Sequence, residues 1–104
     1  MRVEWSEKAE WHRDIIGDYI YERFGSDSLD AFIQEVEKTV SLLVSNPNIG
    51  TIDSLFADRP FTYRSVIING LSKLVYRVDG DDIFIVGFWD TRREPNAQAA
   101  KVKE

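Results

Sequence analysis

Between residues 63 and 93 the chain reads YRSVIINGLSKLVYRVDGDDIFIVGFWDTRR, three short runs rich in Val, Ile, Tyr and Phe. Those residue types suit a pleated, half-buried surface. Asn69-Gly70 and Asp79-Gly80 separate the runs. Such dipeptides mark tight hairpins, because a type I′ turn needs positive φ at both central positions. The segment therefore predicts three consecutive antiparallel strands. Two-residue loops would set Ile68 against Leu71, Val66 against Lys73 and Arg64 against Val75, and then Val75 against Phe84 and Lys73 against Val86. Side chains alternate with period two, so one face would collect Ile67, Leu74, Tyr76, Val78, Ile83 and Ile85, an apolar set fit for a core. The other would collect Arg64, Val66, Lys73, Val75, Arg77, Phe84, Val86 and Phe88, with Asp90 and Arg92 added by continuation of the strand.

Upstream the period changes. Residues 2–5 (RVEW) form a short strand candidate, and Ser6 followed by Glu7 is a helix-start signal. Trp11, Ile15 and Tyr19, with Ile16, Ile20 and Phe24 one turn offset, then recur at three- and four-residue spacing and predict an amphipathic helix. Trp5 and Trp11 are expected in core or hairpin packing. Gly25 stands where a helix ends. Ser26, Asp27 and Ser28 offer a second N-cap, and Leu29, Phe32, Ile33, Val36, Val40 and Leu43 trace a second stripe, stopped by Asn46-Pro47. The short connection predicts an antiparallel helical hairpin covering the apolar face of the sheet. Residues 46–62 have no period and read as a long irregular connection, with Leu55, Phe56 and Phe61 tucked against the body. The expected architecture is α+β with the order β-α-α-β-β-β: one domain over residues 1–95 and a C-terminal tail, 96–104.

Composition narrows the function without naming it. At 104 residues, 43% hydrophobic and 30% charged, this is an ordinary globular chain. Cysteine is absent, so disulfides and thiolate metal sites are excluded. No apolar run is long enough to span a bilayer and no signal-peptide pattern is present, so the expected address is cytoplasmic. The net charge of −5 argues against a general polyanion binder but leaves room for a local basic patch. There is no phosphate-binding glycine loop, no G-x-S-x-G and no H-E-x-x-H. His12 is the only histidine and reads as a surface side chain. No cofactor or metal site is expected. The one informative constellation is Arg64, Lys73, Arg77, Arg92 and Arg93. On a sheet face it is a solvated set of ion pairs, a grip on a phosphodiester backbone, or a protein interface anchored by Phe84, Val86 and Phe88. Trp89 has the opposite parity and reads as core.

Several segments in this order carry a family resemblance: DIIGDYI (Asp14 to Ile20), Phe24-Gly25, NPNIG (Asn46 to Gly50), KLVYRV (Lys73 to Val78) and FWDTRREP (Phe88 to Pro95). The sequence resembles the RelE/ParE superfamily of toxins from type II toxin–antitoxin systems, over about Trp5 to Pro95. The resemblance implies a small toxin neutralised by a cognate antitoxin. RelE-like members cleave mRNA at the ribosomal A site, whereas ParE-like members poison DNA gyrase. By position, Arg64, Lys73, Arg92 and Arg93 fall where the ribonuclease branch has catalytic cations; Arg77, Phe84, Val86 and Phe88 are the expected antitoxin or partner contacts. The chain departs from the ribonuclease pattern in having no Tyr or His after Tyr76, and in its acidic charge. A non-catalytic protein-binding module, or an inactive toxin homologue, is the alternative.

Overall fold

The computed structural model covers residues 1–104. Its elements run β1 (Arg2–Trp5), α1 (Glu7–Phe24), α2 (Ser26–Ser45), β2 (Thr51–Ile52), a 3-10 turn (Ser54–Phe56), β3 (Arg64–Ile68), β4 (Ser72–Asp79), β5 (Asp82–Asp90) and α3 (Pro95–Ala99). The α+β expectation holds: a helical hairpin precedes the strands and packs on their sheet. The strand order is β1-β5-β4-β3-β2. β2 to β5 are antiparallel, and β1 adds to β5 in parallel, so the sheet is mixed. No helix is long and apolar enough to cross a membrane.

Ser6 caps α1 by accepting a hydrogen bond from the Ala9 N–H. A single residue, Gly25, turns the chain into α2; its φ of 91° lies where a side chain is strained, and the Ser26–Ser28 stretch is already helical. Gly17 is buried where the two helices meet, and a Cβ there would come into contact with the Leu29 side chain at 3.4 Å.

The sheet departs from the expected register in three places. Asn69 and Gly70 do take positive φ, but Leu71 is left outside the ladder and Ile68 pairs with Ser72. The resulting one-residue slip brings Val66 and Ile68 to the helix side beside Leu74 and leaves Ile67 outward. Burial of that pair outweighs closure by the shortest loop. The second turn is Gly80-Asp81, with Asp79 opposite Asp82; positive φ at Gly80 alone is the II′ pattern. Between Val75 and Tyr76 the β4–β5 ladder then skips a residue, since Val75 pairs with Gly87 and Tyr76 with Ile85. Val86 is the extra residue of a β-bulge, and the bulge reverses face parity along β5.

These shifts produce two cores rather than one. Between helices and sheet lie Phe32, Val36, Leu43, Ile68, Leu74, Tyr76, Ile83, Ile85 and Phe88. On the outer face, Val75, Val86 and Trp89 pack under Phe56, Tyr63, Ala99 and Val102. The 3-10 turn, α3 and the last residues therefore roof the face that the strand pattern had left open.

Candidate functional site

Arg64 and Lys73 point to opposite sides of the sheet, because the one-residue slip pairs Arg64 with Tyr76 and Lys73 with Ile67. The expected common face for these cations does not exist. Arg64 Nη1 donates to the Gly50 carbonyl at 2.8 Å and to that of Asn48 at 3.4 Å. Tyr76 completes this clasp: its hydroxyl donates to the Pro47 carbonyl and accepts from the Gly50 N–H, at 2.7 and 2.9 Å. Both residues thus hold the NPNIG loop against the sheet. Lys73 lies outward, 2.7 Å from the buried Asp53 carboxylate and over the Trp89 ring. Asp53 lies in the segment without periodicity, so no pattern pointed to it; it also caps the 3-10 turn through Leu55 N–H.

The expected partner contacts are dispersed as well. Arg77 is clamped between the Phe61 and Phe84 rings, 4.2 and 4.5 Å from their centroids. Its guanidinium donates to both carboxylate oxygens of Glu104, at 2.9 and 3.1 Å. Tyr63 donates to the same carboxylate at 2.8 Å. Burial pushes the Glu104 carboxyl up, but the bonds from Arg77 and Tyr63 more than offset this and hold it below its ordinary value. Arg59 donates to the Ala99 and Val102 carbonyls, so the C-terminal residues are strapped to the body. Val86 is buried beneath them. Phe88 is a correction: beyond the bulge it faces the helices, packed between Trp5 and Phe32 with no exposed surface.

An open aromatic patch lies on α1 and the end of β5. Trp11, Ile15 and Tyr19 are 61%, 44% and 46% exposed. Trp11 is thus another correction, on the surface rather than in a core. The buried side of α1 is carried instead by Ala9 and Gly17, with Ile16 and Ile20 partly covered. A groove of about 650 Å³ runs beside the exposed stripe, with Trp89 at its floor and His12, Asp90, Arg92, Arg93 and Lys101 around it. Arg92 is pinned to Asp90 by a forked pair, with Nη2 2.6 Å from Oδ2 and Nε 2.9 Å from Oδ1. That bonding, from Arg92 first, holds the Asp90 carboxyl below its ordinary value. Arg93 has no ion-pair partner. His12 is shifted down by burial and then by the positive charges of Lys101, Lys8 and Arg93. The groove is therefore a cationic, aromatic recess on an acidic protein, suited to surface recognition.

The sequence model of a family described as ParE toxin of type II toxin-antitoxin system, parDE, matches residues 3–95. A solved structure described as the chromosomal ParDE TA system from P. aeruginosa is similar in fold. It is 23% identical, with a TM-score of 0.67 over 90% of this chain and 97% of that one. No curated protein matches.

Proposed function

The chain belongs to the ParE toxin family of type II toxin–antitoxin systems, and on that premise we propose that it arrests growth by gripping DNA gyrase through its α1 groove, under the control of a cognate antitoxin. The observation that carries this reading is where the free cations lie. Arg64, Lys73 and Arg77 are each engaged inside the chain, whereas Arg93 stands unpaired beside exposed Trp11, Ile15 and Tyr19. Exposed aromatic anchors flanked by arginine are the usual composition of a protein-recognition surface. Cleavage of an RNA phosphodiester needs several groups converging on one phosphate, and opposed Arg64 and Lys73 argue against that.

The test is expression of the chain with and without the product of the neighbouring gene. Growth arrest by the chain alone, relieved by co-expression and accompanied by altered plasmid topology, is the expected result. Codon-linked cuts in translated messages, mapped by primer extension, would instead identify a ribosome-dependent ribonuclease. Unaffected growth would identify a binding module or an inactive homologue.

A further inference from the structure

The exposed face of α1 is self-complementary. Lys8, Trp11, Ile15, Tyr19 and Glu22 follow one another at spacings of three, four, four and three, so they share one face of the helix. All five are exposed. The spacing is the same read from either end, and Ile15 is its centre. Within this stripe the two ends carry opposite charge: Lys8 precedes Trp11, while Glu22 follows Tyr19.

We infer that this face pairs two copies of the chain, α1 lying antiparallel on α1 of the second copy about a two-fold axis through Ile15. In that register Ile15 meets Ile15 of the second copy, and Trp11 meets Tyr19 of the second copy. Lys8 faces Glu22 across the interface, and by symmetry that contact occurs twice. A two-fold interface requires this reciprocity, since one patch must serve as both halves. Three large apolar side chains from each copy would leave water together, and opposite charges would bracket them. Glu22 of the second copy brings a carboxylate to the Lys8 end of the stripe. The parallel arrangement sets Lys8 on Lys8 and Glu22 on Glu22, and like charges in contact disfavour it. A contact of one helix per copy is small, so the dimer is expected to be reversible, with a dissociation constant in the range of roughly 1–100 µM. The pairing does not depend on gyrase being the target.

The experiment is sedimentation equilibrium of the purified full chain at low and high salt, across that concentration range. A concentration-dependent dimer that weakens with salt is expected. Ile15→Asp should leave a monomer whose circular dichroism and melting match the parent, because Ile15 is not part of the core. The register is tested by charge exchange. Lys8→Glu alone and Glu22→Lys alone should each weaken the dimer roughly ten-fold, since two copies of the contact change from attraction to repulsion. The double exchange should restore it. A chain that stays monomeric up to roughly ten times the upper concentration overturns the proposal. So does a dimer indifferent to Ile15→Asp, or a double exchange no better than the single changes.

Discussion

Tyr76 shows how one side chain fixes a loop that carries no periodicity of its own. Fully buried, it spends its hydroxyl on two backbone groups of the NPNIG loop. Gly50 is the matching constraint: a Cβ there would lie 2.7 Å from the Tyr76 oxygen and 3.0 Å from the Ser65 carbonyl. Gly50→Ala is therefore expected to destabilise the fold by about 1–3 kcal/mol in denaturant unfolding, because neither neighbour is free to move aside. Glu104 gives a pH prediction. Its carboxyl is depressed in the folded chain, so its contribution is present above the ordinary value of 4.5 and is lost as pH falls through the folded value. Protease resistance of the C-terminal segment should drop on acidification through that range. Glu104→Gln should show the lowered resistance already at neutral pH and little further change. Neither Asp53 nor Glu104 was legible in the sequence as a partner for Lys73 or Arg77. Both lie outside the alternating strands, far from those cations along the chain, and only tertiary packing brings them in.

At the scale of elements, the strands and helices followed from their periods, and their faces did not always follow. The α2 stripe was readable because Phe32, Val36 and Leu43 combine spacing with real depth. Leu43 is wholly buried, and Leu43→Ala is expected to cost about 2–5 kcal/mol, read from the shift in denaturant midpoint. In α1 the same spacing misled. Its larger apolar residues, Trp11, Ile15 and Tyr19, face outward, while the small Ala9 and Gly17 face the sheet and α2. Spacing shows that a helix has a face; it does not show which face is inside. The two dipeptide turns were legible as turns, but Leu71 outside the ladder and Val86 in the bulge each reversed parity. A single extra residue is invisible to an alternation count, yet it decided that Arg64 and Lys73 part company and that Phe88 enters the core.

On the scale of the whole molecule, three layers divide the arginines and lysines into those that hold the chain together and those that face outward. The helical hairpin covers one face of the sheet, and the 3-10 turn, α3 and tail cover the β4–β5 part of the other, leaving Ile67 on β3 exposed. The exposed stripe of α1 and the groove beside it are the open aromatic surface with an unpaired arginine. A copy of the chain paired through α1 and a target bound through the same surface would exclude one another. Raising the toxin concentration should therefore favour the dimer over the complex, and Ile15→Asp should weaken target binding as well as pairing. Arg92 and Arg93 were legible as a basic pair near the chain's end; their neighbours on α1, His12 and Tyr19, were not, because that contact joins segments remote in sequence. The most direct measurement is supercoiling of relaxed plasmid by purified gyrase in the presence of the purified chain and its Arg93→Glu variant. The account predicts that the parent chain blocks supercoiling and that the variant, folded as the parent is, loses most of that effect. Gyrase running at its full rate with the parent chain in excess would contradict it.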